Sequence, residues 1–513
     1  VHSLEDLIDS RIGVHDSNQF EVKLDYAIDP QALENRYHLE AYFFVPKSLG
    51  ISAHTYSREA FYRDVQGYVR FKTPTMNLTT LTDPTHQRSP LAKIHEALAN
   101  LHLRPDDTAA SQQLDYELRL FACLVRANLR DRMVEMSDHV ANFPDQGLAC
   151  RLATDSLVAG CDKLLRDVVM VGDGLRALRP AFSTADFPRW PREMFACVDE
   201  YLSVVIESHL ILLLEDLDKV RTKILEVGPL RERVAKLIQQ EQDYRVGCQY
   251  ITVLEQGQPN ERFVYRRGFL KKLVMSVLFL EVTKEREGRG LSDLVAAVAA
   301  GAAMLFAVIA SIASQQKWGI NSIPFVLAAV TSYMLKDRIK DWLKLYFSKK
   351  MTRFLADYTE NIFDPFTGTI VGVCREAFSF IDARQLPMAV HERRHAGETS
   401  LVESAHKAEV IMKYEKDVRF DGGKIAALHG RLHDINDIIR FNVSEFLARA
   451  DDPSQSVPTF DRKRSAVHHV ECPKTYHINV VFVLRAHGAV GPELLHRVRV
   501  VLDKRGIRRL EEL

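Results

Sequence analysis

The chain has 513 residues, more than one hydrophobic core organises, and 46% of them are hydrophobic, so two or more folded units are expected. Lys+Arg and Asp+Glu balance at 68 each, which removes any general pull toward nucleic acid and restricts basic surface to local patches. The 7 cysteines are scattered without a C-x-x-C pair, a pattern that excludes a disulfide framework and a thiolate zinc site and fits a reducing compartment.

Residues 1–105 read as a mixed α/β segment. FEVKLDYAI (20–28) and YHLEAYFFVP (37–46) alternate as strands do. REAFYRDVQGYVRFKTP (58–74) reads as a helix that stops before Pro74. Residues 106–247 read as a cytoplasmic helical region. Leu114, Leu118, Phe121, Val125 and Leu129 recur at helical spacing, a long helix follows over 193–220, and LRERVAKLIQQEQDYR is another, so a bundle is expected. Residues 248–290 read as a β-hairpin turning at Gly257-Gln258-Pro259-Asn260, then a membrane-proximal helix over 269–282, interfacial or buried.

Residues 291–335 carry the strongest signal. From Leu294 to Leu335 the only charged side chain is Lys317. One apolar run, 294–313, is long enough to cover roughly 30 Å as a helix, the thickness of the hydrocarbon layer. A second, 319–335, is near the lower limit, with Pro324 in its first turn. The expectation is a two-helix transmembrane hairpin in the inner (plasma) membrane. Lys284, Arg286 and Arg289 precede it, and Lys336, Arg338, Lys340 and Lys344 follow it, which predicts cytoplasmic termini. Trp318 suits the outer interface. Lys336, Arg338, Lys340, Trp342, Lys344 and Tyr346 suit the inner one. Ala297 and Gly301, then Ala303, Ala307 and Ser311, fall four apart and would let helices approach closely, within the hairpin or between copies. No ionisable residue falls mid-span, so the proton relay or ion path that such residues mark is missing.

Residues 336–360 read as a basic amphipathic helix along the inner leaflet, attracted to anionic lipid. Residues 361–513 read as a C-terminal α/β domain that shares a sheet with the N-terminal segment. Its expected elements are a strand over 369–381, a helix over 425–450, a strand over 476–486, a helix at PELLHRV (492–498) and a last strand over 497–503. The fold class expected is therefore α+β, a predominantly helical integral membrane protein with cytoplasmic helical and mixed α/β domains.

His391-Glu392-Arg393-Arg394-His395 matches H-E-x-x-H. On a helix that spacing sets His391 and His395 on one face as zinc ligands, with Glu392 placed to activate a bound water. The Arg-Arg pair sets two cations beside the proposed dication, and no third ligand follows at a metzincin spacing. His429 and His433, also four apart, offer a second metal-binding face. The chain contains no P-loop, no G-x-G-x-x-G after a strand and no G-x-S-x-G elbow. The expected function is that of a membrane-anchored cytoplasmic scaffold, sensor or assembly protein. The expected partners are the lipid bilayer, anionic lipid of the inner leaflet, and a protein partner or copies of the same chain, with no nucleic acid. The alternatives are a membrane-tethered zinc hydrolase, with Zn as its cofactor, and a subunit of an oligomeric channel or transport complex.

Overall fold

The computed structural model describes residues 12–513 apart from 33, 84, 87, 145–147, 185–186, 221–226, 256, 288, 320–321, 352–355, 397–408, 433, 462–465 and 488–492. In chain order the elements that matter below are β1 (Ile12–Asp16), β2 (Gln19–Tyr26), β3 (Asn35–Pro46), α1 (Arg58–Asp64), β4 (Val65–Phe71), α2 (Pro90–Leu103), α3 (Thr108–Ala141), α4 (Leu148–Arg176), α5 (Arg189–Val220), α6 (Val227–Gly247) and α7 (Glu261–Met275). There follow β5 (Glu281–Arg286), α8 (Arg289–Trp318), α9 (Ile323–Met351), β6 (Tyr358–Phe363), β7 (Ile370–Ile381), α10 (Met388–His395), β8 (Glu409–Phe420), α11 (Gly422–Leu428) and β9 (Ile435–Asn442). The chain closes with β10 (Ser454–Asp461), β11 (Ala466–Pro473), β12 (Tyr476–His487), β13 (Leu494–Asp503) and β14 (Gly506–Glu512). These elements form two compact units, a helical unit (70–279 and 426–436) and a sheet unit (12–69, 280–425 and 437–513).

In the helical unit α2 packs on α3, α3 on α5 and α5 on α6. The apolar stripe Leu114, Leu118, Phe121, Val125 and Leu129 of α3 is buried, as an amphipathic helix in a bundle requires. Ser89 caps α2 by accepting from the Ala92 N–H at 3.4 Å, and Asp107 caps α3 by accepting from the Ala110 N–H at 3.0 Å.

The sheet unit is built on an eight-stranded sheet of order β14-β13-β12-β3-β8-β7-β6-β5, antiparallel at every junction. Strands from both ends of the chain share it, because β3 pairs with β12 in the register Phe44↔Asn479. Side chains alternate across the pleat. Leu39, Ala41 and Phe43 face a second sheet of order β1-β2-β9-β4, where Phe43 meets Phe441 at 5.0 Å and Phe61 of α1 stacks on Phe378 at 4.0 Å. Tyr42 and Phe44 face the other way, into a core with Ile411, Val481, Val483 and Val390 of α10. Strand β10 pairs with β11 alone.

The expectation of a predominantly helical membrane protein with a two-helix transmembrane hairpin is overturned. The fold is mixed α/β with large sheets. Among the described residues one helix is long and apolar enough to cross a membrane, Ala296–Trp318 within α8, with mean hydropathy 2.3. The second helix fails for a physical reason. Its apolar part, Ile323 to Leu335, covers about 20 Å, and the same helix then runs on through Lys336, Asp337, Arg338 and Lys340. No break separates the second apolar run from the basic amphipathic helix expected after it.

Four local expectations change as well. The stretch 58–74 is helical only to Asp64 and then becomes β4, where the branched Val65 and Val69 favour extended backbone. Among the described residues of 250–268 there is no hairpin. Asn260 adopts φ 51° and bonds back to Glu255, and helix α7 starts directly after it. In 425–450, α11 ends at Leu428 and residues 435–442 form a strand buried along most of its length. PELLHRV lies largely within strand β13, whose residues from Arg497 onward are buried.

Candidate functional site

The sheet unit holds its ionisable residues in rows set by strand register. Lys284↔Glu360 on β5/β6 and Glu360↔Cys374 on β6/β7 form one row, and Glu376↔Lys416 on β7/β8 form the next, on the same face. Lys284 Nζ lies 3.0 Å from Glu360 and donates to Glu376 at 2.6 Å. The Tyr414 hydroxyl donates to Glu376. Lys416, 2% exposed, pairs at 2.6 Å with Asp437 of β9, which also accepts from the Tyr26 hydroxyl at 3.1 Å.

The pKa directions follow from this geometry. Burial raises Glu360, and the neighbouring Glu376 raises it further. Burial also pushes on Glu376, but Lys416 and Lys284 outweigh it and hold that carboxyl below its ordinary range. Burial opposes the Lys416 ammonium, yet Asp437 beside it raises its pKa. Burial drives the Cys374 thiol well up, away from the thiolate that nucleophilic or metal chemistry requires.

Glu360, Cys374 and Glu376 bring ligand atoms within 4.8 Å of one another, as do His38, Glu40 and Glu415 on the opposite face of the sheet. Each trio is already bridged by a neighbouring lysine. Lys284 bridges the first pair of carboxylates, and Lys413 bridges Glu40 at 2.8 Å and Glu415 at 2.6 Å. An ammonium on the carboxylate oxygens does the neutralising that a bound cation would do. Both trios therefore read as self-compensated ion-pair lattices within the sheet.

The H-E-x-x-H segment is helix α10, despite Pro387 and the branched Val390, because Val390 packs into the core beneath it. The His391 and His395 rings lie 4.6 Å apart on the outer side, and Glu392 is exposed beside them. Arg394 points inward instead, bonding Glu409 at 2.6 Å and lying 5.5 Å over the Phe44 ring. The Arg497 guanidinium donates to the Ala396 carbonyl at 2.6 Å and fixes the end of the helix. His429 is buried against Phe71 and within 3.3 Å of the Tyr116 hydroxyl, and His433 lies outside the described residues.

In the helical unit, α5 carries a polar stripe, Asp199, Glu200, Ser203 and Glu207, that is almost wholly buried. Asp199 accepts from Arg179 at 2.5 Å and from the hydroxyls of Tyr244 and Tyr250 at 2.7 Å each. Arg176 forks onto Glu241 of α6 at 2.9 and 2.6 Å. Arg245 bonds Glu207 and Ser203. Burial pushes Cys123 and Cys161 up to about 12, so these thiols are inert as well.

The remaining feature is the excursion from the sheet. Strands β5 and β6 pair in the register Arg286↔Tyr358, so helices α8 and α9 leave and rejoin the sheet at adjacent strands. Helix α8 ends at Gly319, whose φ of 73° favours glycine, and α9 returns along it. Of the small residues expected to pack helices, Ala303 is buried and Ala307 and Ser311 are half-buried, while Ala297 is exposed and Gly301 faces open space. Ala299 and Ser314, missed in the sequence, complete the buried stripe. The outer side of α8 shows Val298, Met304, Leu305, Val308, Ile309 and Ile312. Lys317 lies 4.9 Å over the exposed Trp318 ring and Lys336 4.2 Å over Tyr333. Arg338, Trp342, Lys344 and Tyr346 are exposed along the charged half of α9, and Lys340 is half-buried.

The sequence places Lys284 only as a charge before the hairpin and does not single out Lys416, Glu376 or Glu360, because their pairing depends on strand register. One signal was legible: Cys374 and Glu376 alternate with Phe378 on a single strand face, which sets a carboxylate at a core position. No protein family, curated protein or solved structure matches this chain.

Proposed function

We propose that the chain is a membrane-held scaffold or sensor, in which α8 contacts lipid and the folded body binds a partner rather than turning over a substrate. The observation that carries this reading is the contrast within α8. Its window of mean hydropathy 2.3 is only 11% buried, whereas the core helix of a water-soluble protein hides such a surface. The β5/β6 pairing supports a one-sided attachment, because the chain returns to the sheet beside the point where it left. The self-neutralised ion pairs and the raised thiols support binding over catalysis.

The purified chain is expected to float with neutral phosphatidylcholine vesicles and to resist washing with high salt. Leu305→Arg combined with Ile309→Arg changes two exposed positions and leaves the core intact. At roughly 2.5–3.5 kcal/mol per arginine in the hydrocarbon, the double variant is expected to lose flotation with neutral phosphatidylcholine vesicles while keeping its β-sheet circular dichroism. A wild-type chain that stays monodisperse in buffer without detergent, and does not float, would rule the reading out.

A further inference from the structure

We propose that the helical unit carries a second, peripheral membrane contact, the outer surface of residues 246–255 and 257–272, and that its partner is an anionic lipid surface. The proposal rests on the membrane reading above and adds a surface that α8 does not include.

The surface begins in α7. Leu270 and Val274 are buried and hold this helix on α3 and α5, and Arg266 turns inward to Glu200 at 2.7 Å. The outward positions then carry Val264, Tyr265 and Phe269, at 52%, 79% and 43% exposure, interleaved with Arg262, Lys271 and Lys272. Across the whole surface the acids are Glu255 and Glu261, against the cations Arg262, Arg267, Lys271 and Lys272 besides the inward Arg266. Aromatic and aliphatic side chains among cations on one helix face match the headgroup layer of a bilayer, which accepts both.

The segment before α7 adds further exposed apolar side chains. Val246, Ile251 and Leu254 are exposed at 58%, 54% and 62%. They are held outward by the buried network beneath them. Between these apolar residues, Tyr250 turns in to Asp199, and Thr252 is fully buried with its N–H and hydroxyl on Glu200. Arg245 donates to the Thr252 carbonyl at 2.9 Å. A free loop would fold its leucine and isoleucine inward, but this one is clamped with them facing solvent. That preorganises an apolar contact, so little ordering is left to do on docking. Nucleic acid would satisfy the cations and leave these aliphatic side chains wet. Anionic lipid satisfies both.

The test uses the full chain with the α8 contact disabled (Leu305→Arg, Ile309→Arg), so that α8 does not mask the second contact. This protein is expected to float with vesicles containing about one third phosphatidylglycerol and not with pure phosphatidylcholine. Binding should fall away in about 1 M salt, where the screening length is about 3 Å. Arg262→Glu, Lys271→Glu and Lys272→Glu together should weaken it roughly a hundredfold, at about fivefold per cation. Tyr265→Ser with Phe269→Ser should weaken it at least about tenfold, since burial of a large apolar side chain is lost twice. No flotation with the anionic vesicles, equal flotation with both lipids, or binding that survives the substitutions would overturn the proposal. Should the disabled chain unfold, the wild-type chain with and without the three glutamates gives the same answer through its preference for anionic over neutral vesicles. Failure of the α8 reading has a different signature: the wild-type chain then ignores neutral vesicles and still binds anionic ones.

Discussion

Lys416→Ala is expected to lower the stability of the sheet unit by roughly 3–5 kcal/mol, the usual penalty for stranding one member of a buried ion pair. The substitution leaves the Asp437 carboxylate fully buried with the Tyr26 hydroxyl at 3.1 Å and no ammonium. Asp437 Oδ1 already lacks a hydrogen-bond partner among the described residues, so none of them takes up the charge. Replacing both partners, Lys416→Met with Asp437→Leu, is expected to be close to neutral, because the desolvation of both ions is removed with their attraction. Urea unfolding of the wild type, the single variant and the double variant checks this. A single variant within about 1 kcal/mol of the wild type would show that water reaches the pair.

The stability of the helical unit should depend on pH through His209. Its ring is 2% exposed, Nδ1 lies 2.7 Å from the Val205 carbonyl, and Nε2 has no hydrogen-bond partner among the described residues. A carbonyl only accepts, so Nδ1 carries the proton and the ring is neutral. Burial lowers its pKa to about 4, and Arg126 and Arg130 also oppose a second proton. The unfolded chain takes up that proton near the ordinary value of 6.5. Between the two values the unfolded state binds more protons, so stability rises with pH across the window. It is fully present above about 6.5 and lost as pH falls toward 4, a change of about 3 kcal/mol. Hydrogen exchange in α5, measured against a His209→Leu variant, isolates this contribution. Equal pH slopes for the two proteins between 6.5 and 4 would contradict it. Glu40 acts in a separate, more acid window. Despite burial, His38 and Lys413 hold it down at about 2, so its contribution is lost only as pH falls from 4.5 toward that value.

Much of the architecture was legible where one short-range rule decides. The helical period of α3 and the alternation of β3, β7 and β12 are properties of neighbouring residues, and each formed as read. Reading failed where distant contacts decide. INDIIRFN in β9 falls inside the helix expected over 425–450, but strand neighbours bury most of its residues. Lys416 and Asp437 are far apart in sequence and meet only through sheet packing, so no spacing rule reveals them. In the hairpin, the lack of charge from Leu294 to Leu335 was plain, but helix continuity was not. The charges from Lys336 onward belong to the same helix as the second apolar run, and that leaves α8, among the described residues, alone with the length a bilayer requires. The H-E-x-x-H spacing did yield a helix with both imidazoles on one side, while its inward residue proved to be Arg394, a cation spent on Glu409 and the Phe44 ring.

The surroundings of the outer face of α8 decide between these views. A nitroxide at Leu305→Cys, in a Cys472→Ser background that removes the exposed native thiol, reports them in the full chain reconstituted into vesicles. The account predicts relaxation by oxygen well above relaxation by a water-soluble nickel complex, as in hydrocarbon. Faster relaxation by nickel, or protection from both as in a protein core, would contradict it.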